Sequence, residues 1–175
     1  MMERAPTIAL ARDDRLVAAF AALAIAIHVL ETVVPSPLPG IKPGMANVVT
    51  LVVMLRYGWR MAAWVALLRV LAGSLIIGTF LTPTFMLSLS GALASLGALG
   101  LAWLALRRWL GGVGYGVISA LAHVAGQVGV AFAVFVPHPA ILALLPILMT
   151  MALLLGLVSG TICNVVINAL REHPA

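Results

Sequence analysis

Ser119, His123 and Gln127 follow one another at four-residue intervals in the apolar run GVISALAHVAGQVGVAF, so on a helix they form one polar edge. A hydroxyl, an imidazole and an amide in line can exchange hydrogen bonds with a small polar molecule, and none of them is at home in lipid. Arg69 raises the same question more sharply. It sits in LRVLAGSLIIGTF, and a guanidinium in such a setting needs a carboxylate, carbonyls or an anionic ligand. Glu31 and Asn47 bracket the stretch ETVVPSPLPGIKPGMANVVTL, which also holds Lys42 and the prolines Pro35, Pro37, Pro39 and Pro43. Ser88 and Ser90 belong to FMLSLSGALASL. Glu31, Lys42, Asn47, Arg69, Ser88, His123 and Gln127 form the candidate substrate-binding set, with Glu31 and Lys42 at its entrance. Their chemistry is that of reversible binding.

Bond-making chemistry has little support. The acidic residues are Glu3, Asp13, Asp14, Glu31 and Glu172, four of the five lying in the tails, so no carboxylate cluster is available for a magnesium site. Cys163 is the single cysteine, and neither a phosphate-binding Gly-rich loop nor a His-Glu-x-x-His run occurs. No catalytic residue, metal site or cofactor is expected, and the chain reads as a binding protein and not an enzyme.

The surroundings of these residues identify their solvent. The chain is 63% hydrophobic and 9% charged, with a mean hydropathy of +1.18, whereas about a quarter of the residues in a soluble domain are charged. This is the composition of an integral membrane protein. Apolar runs at about 16 to 34, 45 to 55, 61 to 80, 83 to 106, 113 to 136 and 140 to 169 predict an all-α bundle of six transmembrane helices. The second is shorter than the roughly 20 residues of a straight span and follows directly on the Pro/Gly stretch. Residues 1–15 read as a cytosolic tail, 16–170 as one transmembrane domain, and 171–175 as a C-terminal tail.

The net charge of +5 is not gathered into a stripe for nucleic acid. It sets orientation instead. With the N-terminus inside, the inner segments hold Arg4, Arg12, Arg15, Arg56, Arg60, Arg107, Arg108 and Arg171, while the outer loops hold Lys42 alone. This asymmetry places both termini in the cytosol. Small residues recur at four-residue spacing in Ala18, Ala22 and Ala26, in Ala122 and Gly126, and in Gly156 and Gly160, a pattern that lets helices approach closely.

Each polar position also has a structural role open to it. Glu31 can be a solvated carboxylate at a helix end, His123 a histidine bonded to a neighbouring helix, and Arg69 half of an ion pair. His28, Asn164 and Asn168 fit best as hydrogen-bonding glue between helices.

The runs PGIKPGMANVVTL, LRVLAGSLIIGTF, FMLSLSGALASL, GVISALAHVAGQVGVAF and LLPILMTMALLLGLVSG, in this order, resemble the Gx transporter family, whose members are also called heptaprenyl diphosphate synthase component I. The likeness covers roughly residues 28 to 165, with Pro43 standing where leucine is usual and Val124 where asparagine is usual. Family proteins look like the S components of energy-coupling factor transporters, six-helix bundles that capture vitamins or related small molecules from outside. The resemblance implies a ligand pocket toward the outer side under extracellular loops, and docking to an energy-coupling membrane subunit through small residues of the first helix, here Ala18, Ala22 and Ala26. Energy would come from ATPases on separate chains. The expected setting is the bacterial cytoplasmic (inner) membrane, with a small-molecule substrate and the lipid bilayer as partners and no nucleic acid. The Pro/Gly stretch would then be an outer lid, and Gly44 to Asn47 would start a helix whose free N–H groups suit an anionic ligand part. The synthase name offers an alternative, a membrane accessory subunit linked to isoprenoid or quinone synthesis, although the paired Asp-rich motifs of prenyl diphosphate synthases are missing from this sequence. A solitary transporter, or a scaffold in a flavin or electron-transfer assembly, is a further alternative.

Overall fold

The computed structural model describes residues 12–33 and 45–172; Lys42 and the Pro/Gly stretch from residue 34 to 44 lie outside the described residues. All regular structure among these residues is helical. Helix α1 (Arg12–Val33) starts about a turn before its apolar run, with Asp13 and Asp14 in the first turn, where carboxylates complement the helix dipole. Helix α2 (Met45–Tyr57) has 13 residues and is therefore about 20 Å long. Seven consecutive side chains, Val48 to Met54, are buried, because α1, α3, α5 and α7 surround it.

Gly58 turns the chain at φ +100°, a conformation costly for any side chain, and the chain reverses directly into α3 (Trp59–Ile77). That helix closes on Gly78 in the left-handed conformation, whose N–H reaches back to the last carbonyls. Helix α4 (Pro83–Leu106) opens with Thr82, whose hydroxyl accepts from Phe85 N, and with a proline where no N–H is needed. Helix α5 (Gly112–Val130) runs on into a π-helical turn, Ala131–Phe135.

The last apolar run is one helix in the sequence reading and two in the structure. A short α6 (Ala140–Ala143) precedes α7 (Leu145–Glu172), and the break falls at Leu144 because Pro146 cannot donate to the preceding turn but is tolerated in the first turn of a new helix. Among the described residues, five helices are long and apolar enough to cross a membrane, and α2 is a shorter apolar one. The protein is a multi-pass, all-α membrane bundle.

Helices α5 and α7 approach to backbone contact. A Cβ built on Gly116 would strike the Gly156 carbonyl and come within 2.8 Å of Gly160 Cα, and one built on Gly160 would lie 2.5 Å from Val113 Cα. Asn164 of α7 completes this seam by accepting from Gly112 N at 2.9 Å, which satisfies a free donor at the start of α5. The glue role expected for Asn164 is thus realised. The His28 ring packs against Gly73 of α3, whereas Asn168 is exposed.

Neighbouring helices run up and down, so Glu31, Met45, Ile77, Pro83 and Leu145 stand at one end of the bundle. Arg12, Arg15, Arg56, Arg60, Arg107, Arg108 and Arg171 stand at the other. The positive-inside rule predicts that the arginine end faces the cytosol. A cysteine placed beside Arg107 should then resist an impermeant maleimide added to intact cells and react after permeabilisation. Labelling from outside would invert the orientation.

Candidate functional site

Four helices converge on a tract of polar side chains between the centre and the Glu31 end. Asn47, in the first turn of α2, donates from Nδ2 to Ser119 Oγ on α5 at 2.8 Å. Ser119 Oγ in turn shares a hydrogen bond with Ser95 Oγ on α4, also 2.8 Å. One turn further along α5, the His123 ring lies on the Gly91 backbone of α4: a Cβ there would meet ring atoms Cε1 and Nε2 at 2.8 Å and Gln127 Cγ at 2.9 Å. Gly91 leaves the room that both side chains fill. The three-residue edge of α5 therefore faces α4, as its spacing predicts.

Arg69 of α3 is 9% exposed. Its guanidinium makes no hydrogen bond or ion pair with another described residue, yet it attracts the Glu31 carboxylate and its field reaches His123. The indole of Trp59 donates to Leu96 O at 3.0 Å and ties the start of α3 to α4, whose Ser88 is half-buried. Asn47, Ser119 and Ser95 are joined by hydrogen bonds, His123 and Gln127 meet at Gly91, and Arg69 acts on His123 through its charge.

Glu31 has a defined structural task. Its Oε1 accepts from Met45 N, so the first N–H of α2 is engaged by α1 and is not a free anion donor. The expected ligand-binding helix start thus has its Met45 N–H taken by a carboxylate of the neighbouring helix. Lys42 falls outside the described residues. Ala18, Ala22 and Ala26 are all exposed.

Ser95 belongs to this hydrogen-bonded chain and was not singled out from the sequence. Its signal was there, since it lies seven residues after Ser88 and so shares a helix face with it. Thr50 and Tyr115, each 1% exposed, hold hydroxyls without a partner among the described residues; their apolar neighbours in sequence gave no reason to expect it. No group of three or more His, Cys, Asp or Glu side chains placed to hold a metal ion occurs among the described residues.

An apolar bundle with a tract of polar side chains hydrogen-bonded between its helices defines a multi-pass membrane protein with an internal polar site. The chain matches the family described as heptaprenyl diphosphate synthase component I over residues 20–166, and it belongs to that family, known also as the Gx transporter family. Component I is a non-catalytic membrane subunit, so the chain is not an enzyme. Comparison with curated proteins and with solved structures finds no match.

Proposed function

We propose that this protein is the substrate-binding subunit of a small-molecule uptake transporter in the bacterial cytoplasmic membrane, working in the manner of an S component. The observation that carries the reading is Arg69. A guanidinium in a membrane helix costs about 2.5 to 3.5 kcal/mol on insertion scales when left to lipid, and here no described side chain bonds to it. A polar or anionic substrate entering from the Glu31 end would supply a partner, with Asn47, Ser88, His123 and Gln127 as neutral hydrogen-bonding contacts. Glu31 and Lys42 belong to the entrance under this reading.

Mass spectrometry of small molecules released from gently purified protein tests it directly. One polar compound recovered near one per chain supports binding; a protein that copurifies with none, and whose thermal midpoint no candidate compound raises, overturns it.

The coupling step would use the exposed Ala18, Ala22 and Ala26, which leave α1 open to close approach by an energy-coupling membrane subunit served by ATPases. Ala22→Leu should then lower co-purification of such a partner and lower uptake, while substrate binding to the isolated subunit stays at the wild-type level. Uptake and co-purification both unchanged would remove this face from the interface.

A further inference from the structure

The lipid-facing flank of α4 near the arginine end carries a hollow that the polar tract does not explain. It has a volume of about 500 Å³ and is lined by Trp59, Gly97, Gly100, Leu101, Trp103 and Leu104, all apolar. Sharing Trp103 and Leu104 with it is a second hollow of about 510 Å³, which extends to Arg107, Arg108 and Trp109. The two adjoin at Trp103 and Leu104, and their chemistry is graded, from apolar toward the middle of the bundle to doubly cationic at its end. The Trp59 indole fills the space beside Gly100 and is held there by its bond to Leu96 O. Gly97 is different: a Cβ added to it meets nothing within 4 Å, so it is an open floor. Arg107 is held over the Trp103 ring, 5.2 Å from its centroid, which orients a charge at the mouth of the hollow.

We propose that this hollow retains one anionic phospholipid, its phosphate between Arg107 and Arg108 and one acyl chain lying over Gly97. Charge complementarity chooses the head, since two arginines stand there with no acidic residue from Glu31 to Glu172 between them in sequence. Length chooses the tail: from Arg107 to Gly97 the helix rises about 15 Å, roughly one leaflet of a 30 Å hydrocarbon core. Trp109 is 85% exposed and Leu104 83%, placing an interfacial indole beside the headgroup and an aliphatic side chain beside the tail. Basic side chains just beyond the cytosolic end of a membrane helix attract anionic headgroups.

The test uses the full chain in detergent with equimolar phosphatidylglycerol and phosphatidylcholine, read by native mass spectrometry. Wild type should retain phosphatidylglycerol in preference, by about fivefold for each arginine engaged, the contribution of one basic side chain near an anionic surface. Arg107→Gln with Arg108→Gln should bring the two lipids to near parity. Both residues are exposed, and Arg12, Arg15, Arg56, Arg60 and Arg171 still set the orientation. Gly97→Leu should lower retention of either lipid without disturbing the fold, because it fills vacant space on an exposed helix face. Equal retention of the two lipids by wild type, a preference that survives the double arginine substitution, or a Gly97→Leu variant that holds lipid as before would each overturn the proposal.

Discussion

Arg69→Ala is expected to lower substrate affinity about 10- to 100-fold, the range for losing a hydrogen bond to a charged group. The variant should remain folded. No described side chain bonds directly to the guanidinium; half-buried Glu31, which it attracts, keeps its bond from Met45 N, and an apolar methyl replaces a group that lipid disfavours. Thermal unfolding separates this account from a purely structural one. A broken internal ion pair would lower the midpoint, whereas a lost ligand contact leaves the midpoint of the empty protein unchanged or raised. Gln127→Ala should cost less, roughly 2- to 10-fold, as a neutral hydrogen bond does. Asn168→Ala, at an exposed position near the cytosolic end, should leave affinity at the wild-type value. Wild-type affinity in a folded Arg69→Ala protein would take that arginine out of the binding site.

Gly116→Ala is expected to be the most damaging single methyl in the bundle. The new carbon meets the Gly156 carbonyl and the Gly160 backbone, and backbone cannot rotate away as a side chain can. Overpacking of this kind costs about 1 to 3 kcal/mol, which for a chain of this size is a fall of roughly 2 to 12 °C in thermal midpoint. The effect should reach the polar tract as well, since Ser119 lies one turn beyond Gly116 and α5 carries His123 and Gln127. Gly129→Ala is the control, because its added carbon meets nothing within 4 Å. A neutral Gly116→Ala variant would mean that α5 and α7 do not touch at this seam.

What the sequence disclosed and what it withheld divide along physical lines. Span positions were legible because a lipid-crossing segment advertises itself by an unbroken run of apolar residues, and the polar edge of α5 was legible because Ser119, His123 and Gln127 repeat at the helical period. Asn164 was recognised as glue between helices, and it caps α5. Harder to see were features that depend on which helix lies next to which. Ser95 joins the site only because α4 turns that face to Ser119, and its hydroxyl could as well have back-bonded within its own helix, as Ser90 does to Leu87 O. Glu31 as the cap of α2 requires two chain ends to meet across the Pro/Gly stretch, which no local pattern encodes. The split at Leu144 was readable in principle from Pro146, but the surrounding run was apolar enough to conceal it.

The brevity of α2 bears on how the chain is made. At about 20 Å it falls short of a 30 Å hydrocarbon core, so a membrane-insertion channel cannot leave it alone in lipid with both ends at the interfaces. The single-residue reversal at Gly58 offers the solution that α2 and α3 enter together as a hairpin. Yet the surfaces that bury α2 on its other sides belong to α1, α5 and α7, and α7 is synthesised last of the described helices. The middle of the molecule is therefore finished only after its far end has entered the membrane, and maturation is a rearrangement within the bilayer, not a stepwise deposition of finished spans.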